Sequence, residues 1–395
     1  MASRTVKQFG KGNLVGGVMS GVLGSAKKRD ANFELLRIIA MFMIITLHYN
    51  LHSNALLELG VPATKVQLFA TLLESFAITG LNVYVLLSGY FMSRSNVRPS
   101  RLLSLIAQVY FYTIVISLAM IIVGTYVVHS GNSVFKMGQY LFPISSEHYW
   151  FVTAYIIMYV LSPIMNAAVN TLSRKQLKWS IIGLLVWFCF IKSIVPVMFV
   201  TDNYGYDFGW FICLYLIAAY IRKYDVVLFY NAKRSGLVFV FSCLMIFAMS
   251  VILHFINLKT GRLNYYATVP THLNFIFTLT GSLGLFSLFR FYRMKEGKLA
   301  DISRFLGPLT FGVYLVHMHL EIRDRWVVWM EHLMGEVPTG SVLLFAWHYI
   351  RSIIIVFLAG VFVDWIRKMI FDFLGRVLQD TWLFKKLRQW DKDLC

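Results

Sequence analysis

Apolar stretches long enough to cross a lipid bilayer recur along this 395-residue chain near 33–51, 69–92, 102–128, 149–169, 179–200, 208–222, 236–256, 271–290, 303–320 and 341–366. A helix of about 20 mostly apolar residues spans the ~30 Å hydrocarbon core. Lipid offers no partner to open backbone groups, so helices satisfy this pattern internally. The prediction is an all-α fold, a polytopic membrane helix bundle of about ten transmembrane helices. Neither an internal repeat nor a low-complexity linker interrupts the series, and an even count puts both ends of the chain on one side. Two other stretches read as surface helices. Ile322, Trp326, Trp329, Met330 and Leu333 recur at helical spacing within 321–335, and Phe373, Val377, Leu378, Trp382 and Leu387 are interspersed with Lys385, Lys386 and Arg388. Both predict amphipathic anchors on the membrane surface. The expected organisation is a basic cytosolic tail at 1–30, a transmembrane domain at 31–370 and a cytosolic amphipathic tail at 371–395.

Composition narrows the class. With 58% hydrophobic and 14% charged residues, a soluble enzyme is excluded. A net charge of +18 raises the question of nucleic acid, but the Lys and Arg residues form short clusters between apolar runs, as positive-inside loops do. With the N-terminus in the cytosol, 28 of the 37 basic residues fall on the cytosolic side and six on the other. The expectation is therefore a multi-pass protein with both termini cytosolic, membrane lipids as partners and no nucleic acid. Cys189, Cys213 and Cys243 lie inside apolar runs and Cys395 at the end, a spacing for neither disulfides nor a metal. Residues 1–30 hold a Gly-rich stretch among basic residues, a poor signal peptide and a better disordered tail.

The candidate chemistry begins with Arg37 and His48, separated by an almost wholly apolar stretch. An offset of eleven residues closes three helical turns to within roughly 20°, so the two side chains share a face roughly 16 Å apart. Ionisable groups inside a span cost about 2.5–3.5 kcal/mol each, so two on one face predict a lined pathway. Arg37 alone also fits a helix-end arginine reaching to headgroups. All ten histidines, with Glu74, Glu147, Lys192 and Arg351, fall toward the non-cytosolic side, which predicts a hydrated cavity opening there.

Four segments together resemble the membrane-integral acyltransferase family 3, bacterial proteins that use acyl-CoA to modify surface glycans. Arg37 and His48 match its Arg-x10-His signature, and Asn82 to Tyr90, ending Ser88-Gly89-Tyr90, is similar to its Ser-Gly-Tyr/Phe motif. His148-Tyr149-Trp150-Phe151, followed by Tyr159 and Pro163, looks like its His-x-Trp-Phe segment. Gly312 to His317 looks like its late Tyr-Leu-x-His motif. Glu34 stands where many members carry Asp, and no soluble hydrolase-like domain follows the membrane domain in this sequence, which leaves substrate choice open.

The resemblance implies a membrane-bound O-acyltransferase in the bacterial plasma membrane, moving an acetyl or longer acyl group from cytosolic acyl-CoA to a hydroxyl of a surface or lipid-linked glycan. His48 is then the catalytic base, and an acyl-histidine intermediate is the competing chemistry. Arg37 belongs both to catalysis and to the donor. Ser88, Arg94, Arg98 and Arg101 join it as contacts for acetyl-CoA, with Arg groups matched to phosphates. The three arginines read equally as positive-inside charge, and Ser88-Gly89 as a packing contact. Glu147 is placed beside the base or on acceptor hydroxyls, and His148, Trp150 and His317 against the acceptor, while interfacial anchoring or packing reads equally for all four. No metal is implied, and the oligomeric state stays open. A lipid-linked glycan transporter or flippase is the alternative, and a glycan polymerase a third reading.

Overall fold

A computed structural model describes residues 29–124, 134–146, 148–195 and 203–394. Glu147, His129 and residues 1–28 of the expected basic tail lie outside the described residues. In chain order the helices are α1 (Ala31–His52), α2 (Lys65–Ala77), α3 (Thr79–Met92), α4 (Pro99–Ile122), α5 (Val134–Leu141) and α6 (Trp150–Thr171). There follow α7 (Arg174–Leu185), α8 (Lys192–Ile194), α9 (Phe208–Tyr224), α10 (Ala232–Thr260), α11 (Asn264–Thr268) and α12 (Ile276–Phe291). The last are α13 (Lys298–Leu306), α14 (Thr310–His317), α15 (Trp326–Met334), α16 (Val342–Leu378) and α17 (Trp382–Asp393).

The fold is an all-α membrane bundle. Nine helical stretches among the described residues are long and apolar enough to cross a bilayer. The sixth apolar run forms α9, which at 17 residues is shorter. Trp210, Phe211, Leu214 and Tyr215 of α9 are fully buried, so its apolar surface meets protein rather than lipid. Polar residues start these apolar helices by accepting the first free N–H groups. Asp207 caps α9 through Trp210 N–H (2.9 Å), Asn231 caps α10 through Arg234 N–H (2.9 Å), and Thr64 with Gln67 forms a capping box on α2.

Three predicted spans are broken. The second divides at Ile78 into α2 and α3, and the ninth divides at a short 3₁₀ turn over Gly307–Leu309, where Pro308 has no N–H for the helix ladder. The fifth passes through a π-helical stretch, Val186–Ile191, between α7 and α8. Two ends also differ from expectation. Residues 321–325 form turns, leaving α15 to begin at Trp326, and α16 continues through Phe373, Val377 and Leu378, which were expected in a separate surface helix.

α1 lies at the centre, in contact with α2, α3, α12, α13, α14 and α16. Gly80 permits the close crossing of α3: a Cβ there would stand 2.7 Å from Met43 Cβ and 3.1 Å from Ala40 O. Gly312 does the same for α14 against α16, since a Cβ would lie 2.2 Å from Asp364 Cγ. Asp364 is wholly buried and accepts from Tyr112 Oη (2.6 Å), Gln108 Nε2 (3.1 Å) and Arg367 Nε (2.7 Å). Arg367, expected among solvated cytosolic charges, is instead sealed in this cluster because a buried carboxylate requires a paired donor.

Candidate active site

His48 lines a cavity of about 450 Å³ between α1, α2, α3, α6 and α14. Glu74, Tyr84, Trp150, Tyr206 and Tyr314 form other parts of its wall. At its polar end lie His52, Arg323 and Asp324, with His52 Nδ1 3.9 Å and Arg323 Nε 3.6 Å from the Asp324 carboxylate. A cavity is thus present at His48, with walls other than those expected. Lys192 is buried against the Tyr204 ring (5.1 Å), and Arg351 is exposed beside Trp347 (5.6 Å); neither lines it.

The chemistry of the wall follows from a three-member chain. His317 Nδ1 lies 2.6 Å from the carbonyl oxygen of Val313, one turn earlier in α14. A carbonyl only accepts, so this nitrogen carries the hydrogen, and Nε2 of the neutral ring is left as an acceptor. His48 Nδ1 lies 3.1 Å from that Nε2 and therefore donates. The backbone of α14 so fixes the tautomer of a residue on α1. His48 Nε2 retains its lone pair and has no other hydrogen bond among the described residues. A neutral imidazole with an open nitrogen on a cavity can accept a proton.

Arg37 occupies a separate environment on the same helix. Its Nη1 contacts Glu34 Oε1 at 2.5 Å, and Arg29 approaches the same oxygen at 3.4 Å. The guanidinium also stands 5.8 Å from the Phe91 ring centre. The two signature residues therefore share α1 without sharing one cavity wall. Glu34 draws Arg37 to its own end, and Tyr84, bonded to Thr310 (2.6 Å) and within electrostatic reach of Arg37, stands on the cavity side.

The other expected donor contacts lie outside the cavity lining. Ser88 Oγ donates to Tyr84 O (3.0 Å). The Arg94 guanidinium donates to Arg222 O (3.0 Å), and the Arg98 N–H to Tyr159 Oη (3.0 Å). Arg101 lies near Asp391 of α17, which accepts from the Ser100 N–H (3.1 Å) and Oγ (2.5 Å) at the start of α4. The C-terminal helix, expected as a lipid anchor, is thus tied to α4. Arg222, not singled out from sequence, stacks its guanidinium 4.1 Å from the Tyr90 ring and 5.3 Å from Phe91. Arg37 and Arg222 therefore meet on Phe91, a convergence of residues 185 positions apart that no local pattern carries.

Among the expected acceptor contacts, Trp150 lines the cavity and His317 supports His48 from behind. His148 is buried off the cavity, its Nδ1 3.2 Å from Gln139 O and its ring against Tyr149 (4.3 Å) and His319 (4.8 Å). Glu147 lies outside the described residues. Glu74 had been placed only by side of the membrane, Tyr84 only as a member of the Asn82–Tyr90 segment, and Tyr206 had no signal beyond being a polar aromatic.

A family model described as an acyltransferase domain, Acyl_transf_3, matches residues 30–366. No curated protein and no solved structure matches. The matched segment begins just before α1, contains His48, His317 and every named residue of the cavity, and ends within α16. This chain belongs to the membrane acyltransferase family that the model defines.

Proposed function

We propose that the protein is an acyl-CoA-dependent O-acyltransferase that moves an acetyl group onto a hydroxyl of a cell-surface or lipid-linked glycan, in a bacterial plasma membrane with both termini cytosolic. The single observation that carries the reading is the chain from the Val313 carbonyl through His317 to His48, which leaves one imidazole nitrogen open on the cavity.

In the proposed reaction His48 Nε2 takes the proton of the acceptor hydroxyl as its oxygen attacks the thioester carbonyl. The tetrahedral intermediate collapses, the C–S bond breaks, and the proton passes from the imidazolium to the departing thiolate. The products are the ester and free CoA. His317 accepts the His48 Nδ1–H throughout and stabilises the transient positive charge, as an orienting partner does in a base-assisted acyl transfer. The donor enters from the Arg37 side, where Arg37 and Arg222 flank Phe91 and offer charge to phosphates. Glu34 neutralises Arg37 until a phosphate competes for it.

The test is transfer of labelled acetyl from acetyl-CoA to glycan by membranes containing the protein. Transfer that depends on His48 supports the reading. Full transfer by a His48→Ala variant, or glycan translocation without acetylation, refutes it.

A further inference from the structure

Glu74 is more than nine-tenths buried, about a third of the way along the helical stretch Lys65–Met92, and lines the same cavity as His48. An ionisable group at that depth belongs beside a partner or a pathway. Its hydrogen-bond partner is Asn50, whose Nδ2 donates to Oε2 at 2.9 Å and to Ala70 O at 3.3 Å. The amide thereby pins one carboxyl oxygen, and Oε1 makes no hydrogen bond among the described residues. The lining basic side chains do not reach it: His52 and Arg323 both lie against Asp324. Tyr206 stands within electrostatic reach of Glu74, and its ring meets Trp150 edge to face at 5.0 Å, both rings lining the cavity. One end of the cavity thus combines an aromatic pair with a carboxylate that lacks a cation. Such rings pack against the apolar face of a sugar, and a carboxyl oxygen left open beside them can accept a hydrogen bond from a substituent of that sugar.

We propose that Glu74, Trp150 and Tyr206 form the acceptor subsite, and that it takes a sugar bearing a hydrogen-bond-donating substituent, hydroxyl or ammonium, beside the hydroxyl that is acylated. The inference rests on the transferase reading above and adds a specificity-determining residue to it. Glu74 receives the donor substituent on Oε1, the rings hold the sugar face, and the reacting hydroxyl is presented to His48.

The experiment is saturation-transfer NMR of methyl glucoside and methyl 2-amino-2-deoxyglucoside with the full-length protein in lipid nanodiscs. Both bind the parent protein, and Glu74→Ala weakens both by about tenfold or more. Glu74→Gln separates the two sources of the donor: selective loss of the amino sugar identifies an ammonium, and a small equal loss identifies a hydroxyl. Trp150→Leu leaves the Asn50 contact in place and weakens both sugars, so the test does not depend on one variant folding. Absence of binding to the parent protein, or unchanged binding by Glu74→Ala and Trp150→Leu, overturns the subsite. Binding without any acetyl transfer by the parent protein would refute the transferase reading and leave the sugar subsite standing.

Discussion

His48 Nδ1 donates to His317 Nε2 across 3.1 Å, although 269 residues separate them. The catalytic candidate of the first helix is therefore oriented by the ninth apolar run, and its function depends on how α14 is held. A His48→Ala variant should lose about 10²–10⁴-fold in kcat, the usual contribution of a positioned base. His317→Phe should lose roughly 10–100-fold, the scale seen when the group orienting a functional histidine is removed. KM for the acceptor should change little in His317→Phe. Steady-state kinetics on purified protein checks both, and equal kcat for His317→Phe and the parent would dismiss the positioning role.

The donor end makes a separate prediction. Arg37 and Arg222 both stand within 6 Å of the Phe91 ring centre, at 5.8 and 5.3 Å, so Arg222→Ala should raise KM for acetyl-CoA by about tenfold, the loss of one charge-assisted contact. The acceptor KM should stay as it is. A change in the acceptor KM alone would place Arg222 outside the donor site.

The Asp364 cluster should govern stability rather than chemistry. Asp364→Asn leaves Arg367 buried without its counter-charge and should cost about 3–5 kcal/mol. Combining it with Arg367→Met should restore part of the loss. Thermal unfolding in detergent measures both, and a single variant no less stable than the double would contradict the account.

Two histidines outside the spans predict the acid side of the stability profile. Burial, with the neighbouring His319, pushes His148 down to about 3, and burial pushes His319 down to about 4, both from an ordinary 6.5. Their rings are neutral in the folded protein and gain protons first on unfolding. The unfolded state therefore binds more protons between about 6.5 and about 3, and stability falls as pH falls through that window, while remaining flat above it. Replacing both by Gln should flatten the fall. A melting temperature that declines as steeply in the double variant would assign the effect to other groups.

Much of the architecture was legible along the chain because a bilayer imposes a length and a polarity on each crossing. The broken spans were not: Ile78 divides α2 from α3 inside one run long enough to cross, and the division at Gly307-Pro308 follows a local ladder defect inside an otherwise continuous run. Likewise Arg367 read as a loop charge because the sequence cannot reveal that Asp364, Tyr112 and Gln108 surround it.

By itself, the sequence determined an all-α membrane bundle, the spacing of Arg37 and His48 on one helix, and the four motifs that announce the family. The bundle and the shared helix are consequences of hydrophobic length and helical period, which are local, whereas the motifs carry weight through their resemblance to the family. Tertiary structure alone decided that His317 stands behind His48, that Glu34 takes Arg37, and that Glu74 shares a cavity with Trp150 while His148, Lys192 and Arg351 do not. The physical reason is that hydrogen bonds and ion pairs act over about 3 Å between helices whose mutual rotation depends on close contacts such as Gly80 on Met43 and Gly312 on Asp364.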